Sequence, residues 1–249
     1  MPDTDLLAVG DDAIAWARRD AEPSLVERVA FAAIADRGQM QAALGAVIGS
    51  RRAPLQVVLA DSLVKYFTVQ PPLGMQRFEE LRELASLRFE ELFSTPALRW
   101  RISGDWNTRR PFLCCAASAE LIEAIEAAAG RWLMSVAPIF VRRFNDIARR
   151  IPRHSVWIAC RTGAWVTAAC FEGGACHGVR STALAARDDL ARWLAHEALL
   201  ANRPLRELWL ADTADAPLAI EGAVVHRIPA SAQRDLRLMT VLFESEVEA

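Results

Sequence analysis

The sequence predicts an α/β protein built twice, as two units that are each a mixed β-sheet covered by helices. Three observations carry this. The chain has 249 residues, 53% hydrophobic and 24% charged, which is enough apolar material for one large core or two smaller ones. Short β-branched and aromatic runs alternate with longer stretches whose apolar residues recur at helical spacing. An order of three strands, a helix, a strand and a helix can be read twice along the chain. Strands adjacent in sequence pair antiparallel and strands joined through a helix run parallel, so this order implies mixed sheets with helices on their faces.

In the first unit, 6–9 and 13–17 flank Gly10-Asp11-Asp12 as an opening hairpin, and 26–34 is a third apolar stretch. A helix over 39–48 places Met40, Leu44, Val47 and Ile48 on one side. The run 55–60 passes through Asp61-Ser62 into 63–69, which reads as a second hairpin around a polar turn, ended by Pro71-Pro72-Leu73-Gly74. Over 75–93 a helix is set by Phe78, Leu81, Ala85, Phe89 and Leu92 at i+3 and i+4 spacing, with Glu79, Glu80, Glu83, Glu90 and Glu91 largely off that stripe. We read 55–93 as a hairpin–helix insertion. Beyond Trp100 and Ile102, 104–110 is a polar loop, 112–117 a buried strand and 119–129 a helix closed by Gly130. A short strand over 132–136 follows. Pro138 then starts an Arg-rich helix over 140–150 that Pro152 ends.

The second unit opens on a three-strand meander, 156–160, 165–171 and 176–181, turned by Arg161-Thr162-Gly163-Ala164 and Glu172-Gly173-Gly174. A helix over 188–201 directs Leu190, Trp193, Leu194 and Leu200 toward a core. Strands over 205–210 and 223–228 and a helix over 234–243 complete the unit, and 244–249 is an acidic tail.

Charge and composition exclude several classes. The 31 acidic residues slightly outnumber the 29 basic ones, of which only Lys65 is lysine, so no global positive field exists to hold nucleic acid. No apolar run approaches the roughly 20 residues of a membrane helix, and Met1-Pro2-Asp3-Thr4-Asp5 lacks the basic start and apolar block of a signal peptide. A cytoplasmic protein is expected. Cys114, Cys115, Cys160, Cys170 and Cys176 form an odd set within strand-like runs, which suits core thiols better than disulfides. Cys170, Cys176 and His177 lack a second C-x-x-C or H-x-x-x-H partner, so no metal is expected there.

Three blocks carry a family resemblance. The first is Val57-Val58-Leu59-Ala60-Asp61-Ser62-Leu63-Val64-Lys65-Tyr66-Phe67-Thr68-Val69-Gln70-Pro71-Pro72, leading into Phe78-Glu79-Glu80-Leu81. The second is 112–117 with its helix and the turn Gly130-Arg131-Trp132-Leu133-Met134-Ser135-Val136-Ala137-Pro138; the third is the meander from Val156. In order, over nearly the whole chain, these resemble the actin-like proteins of type IV pilus and type II secretion machines, PilM and the cytoplasmic domain of GspL. The resemblance implies two ribonuclease-H-like subdomains of the actin-like ATPase superfamily across a cleft, here 1–137 and 138–249. It also implies an assembly platform at the inner membrane, binding a membrane protein's cytoplasmic tail or a secretion motor ATPase. The chain ends without the membrane helix that follows the domain in GspL, so it would reach the membrane through a partner.

The departures bear on chemistry. Nucleotide binders of this superfamily place an acid and a glycine in the first hairpin of each subdomain, where amides cradle phosphate and the carboxylate holds the metal ion through water. Here the second hairpin reads Arg161-Thr162-Gly163-Ala164-Trp165-Val166-Thr167, with Arg161 in the family's Asp position. An Arg contacts phosphate but cannot hold Mg²⁺. Arg161, Thr162, Gly163 and Thr167 are therefore degenerate phosphate-loop positions. Gly10-Asp11-Asp12-Ala13 keeps acidity without the glycine spacing, and Ala211-Asp212-Thr213-Ala214-Asp215 replaces the later Gly-Gly pair. The expectation is a scaffold with no cofactor and no effective ATP hydrolysis; the alternative is an ATPase or phosphotransferase using ATP and Mg²⁺.

The remaining candidates have plain readings beside them. Asp11, Asp12, Asp61, Asp105, Asp212 and Asp215 do not form the consistent carboxylate set that two metal ions need, and Asp favours turns. His154, His177, His196 and His226 lie in no local triad, and Ser118 fits a helix N-cap. For partner binding, Arg142, Arg143, Arg149 and Arg150, with Arg153 beyond, form either a solvated face or a patch for an acidic partner or anionic lipid. Lys65 and Phe67, with Trp100 and Trp106, frame a peptide site by strand addition or in an aromatic groove. Core packing competes for Phe67 and Trp100, while Trp106, between Asp105 and Asn107, is expected to be exposed.

Overall fold

The computed structural model describes residues 4–17, 27–30, 37–49, 52–151, 153–184, 186, 189–212, 218–228 and 239. Its first sheet begins with β1 (Asp5–Val9), β2 (Ala13–Ala17) and β3 (Glu27–Ala30), an antiparallel meander. After α1 (Arg37–Ile48) comes β4 (Leu55–Leu59), which runs parallel to β1. On its other side β4 is parallel to β8 (Leu133–Pro138), giving the order β3-β2-β1-β4-β8. The second sheet repeats this with β9 (Val156–Thr162), β10 (Trp165–Glu172), β11 (Ala175–Ala183), α5 (Asp189–Leu200), β12 (Glu207–Asp212) and β13 (Val224–Arg227). Its order is β11-β10-β9-β12-β13, the same arrangement in the same handoff of antiparallel to parallel pairing.

Between β4 and β8 the chain builds a third, antiparallel sheet. It consists of β5 (Val64–Val69), α2 (Phe78–Phe93), β6 (Trp100–Gly104) and β7 (Phe112–Ser118), in strand order β5-β7-β6. The helices α3 (Ala119–Ala129) and α4 (Ile139–Ile147) then flank β8.

This corrects the reading of 55–69 as a hairpin and of the insertion as 55–93. β4 and β5 do not pair. β4 is a central strand of the first sheet, with Val57, Val58 and Leu59 buried between parallel neighbours, and a short 3₁₀ turn over Asp61–Leu63 carries the chain out of that sheet into the next. The strand taken as the first unit's fourth, 112–117, belongs instead to the inserted sheet. β6, half-exposed at alternate residues, falls where the sequence signalled little order after Trp100. The predicted helix over 234–243 lies outside the described residues except for Met239, helical and buried, as does the tail 244–249.

One apolar core runs between the two five-stranded sheets. It joins Leu7, Ile14, Leu44, Val57 and Leu59 of the first half to Ile158, Ala169, Phe171 and Ala211 of the second, with Ile139, Phe140 and Ile147 of α4 among them. A second cluster packs α5 through Leu190 and Leu194 on Trp157, Val166, Leu208 and Leu210. The third lies inside the insertion, where α2 seats Leu81, Ala85 and Phe89 on Phe67, Phe112 and Cys114. Among the described residues no helix is long and apolar enough to cross a membrane.

Candidate functional site

Parallel strands bring their carboxyl ends to one side of a sheet, and here the two sheets bring those ends to their junction. In the first half, Asp61 follows the end of β4 after a single residue, Ala60. In the second, Asp212 ends β12 and lies opposite Arg161 near the end of β9. The repeat therefore places an aspartate at the end of the fourth strand of each sheet.

Asp61 is the hub. It is 1% exposed, and its Oδ1 accepts hydrogen bonds from the Tyr66 hydroxyl at 2.5 Å and the Phe140 N–H at 3.2 Å. Phe140 lies in the first turn of α4, so this carboxyl meets one of the unpaired N–H groups at that helix start. Thr167 of β10, in the second half, lies near enough to lower the carboxyl's pKa, while the second oxygen, Oδ2, is buried without a hydrogen-bond partner among the described residues. Burial pushes the Asp61 carboxyl up to about 7, against the pull of these three groups. Tyr66 is in turn held well above its ordinary value by burial and by the adjacent Asp61.

Of the four positions expected to form a degenerate phosphate loop, Thr167 lies near this hub, while Arg161, Thr162 and Gly163 form the end of β9 and the turn after it. Arg161, 8% exposed, folds its Nε onto the carbonyl of Gly163 at 3.1 Å, so the guanidinium closes over its own turn. Gly163 holds the turn at φ 58°, a left-handed conformation that glycine adopts without strain. Thr162 is 1% exposed, and its Oγ1 is buried without a hydrogen-bond partner among the described residues. Thr167 is fully buried and shares a 2.8 Å hydrogen bond with Ser181. In the first hairpin Asp11 is exposed and Asp12 half-buried, with the turn closed by the Gly10 N–H donating to the Ala13 carbonyl at 2.8 Å. Asp215 lies outside the described residues.

The partner-binding candidates do not form one patch. Arg143 is 2% exposed and reaches Asp146 at 3.1 Å, so it is an interior residue of α4 and no part of a solvated face. Arg142 is half-buried and donates to Gln56 at 3.2 Å, whereas Arg149 and Arg150 lie exposed beyond the end of α4. Trp106, expected to be exposed, is half-buried because its indole packs edge-on against Phe78, 5.2 Å between ring centres, and against Phe112. Phe67 is buried between Phe89 and Phe93. Lys65 is the exception. It is partly exposed, with its ammonium 4.7 Å from the centre of Phe93 and 4.8 Å from that of Trp100.

All five cysteines are free thiols, and burial pushes Cys115 and Cys176 up to about 12. Among the described residues no three His, Cys, Asp or Glu side chains are placed to hold a metal ion. Ser118 precedes α3 as expected, but its hydroxyl makes no capping hydrogen bond. A carboxylate that sequence reading passed over, Glu207, accepts from His154 at 2.6 Å and faces His226 at 3.3 Å and the Trp209 indole N–H at 3.1 Å. These residues come from three separate segments, so no local spacing announces them. Asp61 did carry a signal, an acid directly after a run buried on both faces.

No protein-family model matches the chain, and no curated protein matches it by sequence. Solved structures do. The cytoplasmic domain of EpsL, an inner-membrane component of the type II secretion system of Vibrio cholerae, superposes with a TM-score of 0.57 at 12% identity, covering 99% of this chain and 96% of that one. The PilM–PilN type IV pilus biogenesis complex gives 0.57 at 12% identity, over 84% and 81% of the chains. A Bacteroides thetaiotaomicron protein with an actin-like ATPase fold and unknown function gives 0.55 at 12%, over 86% and 83%. With two sheets of identical strand order meeting at their carboxyl ends, the chain has the actin-like fold of two ribonuclease-H-like halves.

Proposed function

We propose that this protein is a non-catalytic scaffold of a type IV pilus or type II secretion assembly platform that acts by binding other proteins. The observation that carries the reading is Arg161. Where a nucleotide-binding relative would present an acid to a metal ion, this chain presents a guanidinium bonded to the turn itself at Gly163. A cation in that place repels Mg²⁺, and the turn's own carbonyl is already engaged. The likeness to EpsL and PilM over most of the chain supports the same assignment through the fold. Its partner is the cytoplasmic tail of a membrane protein or the motor ATPase of the machine, and it works at the cytoplasmic face of the inner membrane through that partner.

One observation favours a second reading, an ATPase or phosphotransferase. Asp61 is a buried carboxyl at a strand end that titrates near neutrality, the property a general base needs. The two readings part on binding. Candidate membrane proteins are to be taken from genes that adjoin this one, and a pull-down with their synthetic cytoplasmic tails is expected to retain the full chain. Retention by none of them, with micromolar binding of ATP and Mg²⁺ in calorimetry, would overturn the scaffold in favour of the enzyme.

A further inference from the structure

Five arginines come from two segments that one glycine turn ties together. Arg109 and Arg110 stand in the loop between β6 and β7, Arg149, Arg150 and Arg153 in the segment that joins α4 to β9, and all five are exposed. The tie is the turn between β10 and β11. Its Gly173 carbonyl accepts from Arg110 Nη1 at 3.0 Å, and its Gly173 N–H donates to the Arg153 carbonyl at 2.8 Å. A Cβ at Gly174 would lie 2.3 Å from the same Nη1, so the guanidinium rests on the turn because no side chain stands there. Asn107 fixes the loop, its Oδ1 accepting from the Arg109 N–H at 2.9 Å and the Arg110 N–H at 3.1 Å. Arg150 follows Arg149 and precedes Arg153 closely enough along the chain that its Cα lies within about 11 Å of that of Arg153. Arg149 and Arg150, which share no face with the interior Arg143, therefore belong with Arg153, Arg110 and Arg109.

The carboxylates of this region are engaged elsewhere. The loop, the joining segment and the turn hold two acids, Asp105 and Glu172. Glu172 is bound by Arg203 at 2.7 Å, with His177 at 3.9 Å. Beyond them, Asp146 is held by Arg143 at 3.1 Å and Glu207 by His154 at 2.6 Å. None of the five arginines forms an ion pair among the described residues, which leaves Asp105 as the one acid of these segments to set against them. Only Arg110 uses a side-chain donor within the fold, so most of the guanidinium N–H groups face water.

A guanidinium presents a planar fork of donors that fits a carboxylate with two parallel hydrogen bonds. The size of the anion follows from the rest of the molecule. The whole chain carries net charge −2, so outside this cluster it is the more acidic, and an extended polyanion such as nucleic acid or an anionic membrane would meet repulsion beyond the patch. None of the large apolar residues left exposed among the described ones falls in these segments, so the apolar anchors of a membrane-surface site are missing as well. A short acidic stretch of protein touches the arginines alone. We propose that Arg109, Arg110, Arg149, Arg150 and Arg153 form a docking surface for a segment of a partner protein rich in Asp and Glu. The proposal rests on the scaffold reading and deepens it by naming the chemistry of a partner contact. Two of these arginines belong to the insertion and three to the link between the halves, so a bound segment bridges the two.

The test is fluorescence anisotropy of a labelled oligoglutamate peptide, and of a neutral Gln/Ser peptide of the same length, titrated with the full chain at low salt. The glutamate peptide is expected to bind at least about tenfold more tightly than the neutral one and to weaken as salt is raised to about 0.3 M. Its affinity should fall at least about tenfold in the double variant Arg109→Glu, Arg150→Glu, and should hold in Arg99→Glu, the same charge change at the far end of β6. Neither Arg109 nor Arg150 makes a side-chain hydrogen bond or ion pair among the described residues, so the double variant should melt at the wild-type temperature. Equal affinity for the two peptides, or glutamate binding unchanged in the double variant, would overturn the proposal. So would capture of phosphatidylglycerol vesicles or of an RNA oligonucleotide while the glutamate peptide is ignored, an outcome that assigns the arginines to a membrane or to nucleic acid. A chain that turns over ATP yet binds the peptide through these arginines fails the scaffold reading and keeps the docking surface; one inert to ATP that ignores the peptide fails the docking surface alone.

Discussion

Asp61 couples three segments through a single carboxyl, and its charge state is set near neutral pH. Its folded value of about 7 stands above the roughly 3.9 of an unfolded aspartate, so the folded chain holds an extra proton between those two values. The protonated form is the better folded, and stability is lost as pH rises through that window and levels off above it, by about 4 kcal/mol at most from this group. Asp61→Asn keeps an acceptor for Tyr66 and Phe140 and removes the titration. Urea midpoints taken from pH 5 to 8 should fall less steeply for the variant than for the wild type; parallel profiles would contradict the role given to this residue. Tyr66→Phe removes the strongest donor from a buried oxygen and should cost about 1–3 kcal/mol, read from the same unfolding curves. Asp61 was legible in the sequence only as a turn residue, because its neighbours in space, Phe140 and Thr167, are far off along the chain.

At the scale of elements, helices were easier to read than strands. The stripe Phe78, Leu81, Ala85, Phe89 and Leu92 fixed α2 because i+3 and i+4 spacing is a property of the segment itself; the structure buries Leu81, Ala85 and Phe89, while Phe78 and Leu92 at the two ends stay exposed. Phe89 is fully buried against Phe67, Phe93 and Trp100, so Phe89→Ala should cost about 3–5 kcal/mol and loosen the inserted unit first. Hydrogen exchange should show β5 and β7 losing protection before β1 and β4; uniform loss would show that the insertion has no stability of its own. Strand runs 55–60 and 112–117 look alike in sequence, both short, apolar and buried. What separates them is which strands lie beside them, β1 and β8 for one and β5 and β6 for the other, and that is decided by pairing across long stretches of chain.

The whole molecule was better anticipated than its parts. The duplicated α/β plan follows from strand and helix order, and the two sheets share one strand order despite the insertion in the first. A common core between the sheets joins the halves, and a further tie links the insertion to the second half, where Arg110 donates to the Gly173 carbonyl at 3.0 Å and the Cys176 N–H to that of Pro111 at 3.0 Å. Gly174, at φ 77°, sits where a Cβ would lie 2.3 Å from the Arg110 guanidinium. Gly174→Ala should therefore displace that contact and lower stability by about 1 kcal/mol or more, a shift visible in thermal melts. In the second half the guanidinium of Arg161 is bonded to the carbonyl of Gly163 in its own turn, the feature on which the proposed scaffold reading rests. The most direct measurement is phosphate release from ATP in the presence of Mg²⁺ by the full chain. The account predicts a rate equal to that of protein-free buffer and the same for Asp61→Asn; turnover above buffer that Asp61→Asn abolishes would contradict it.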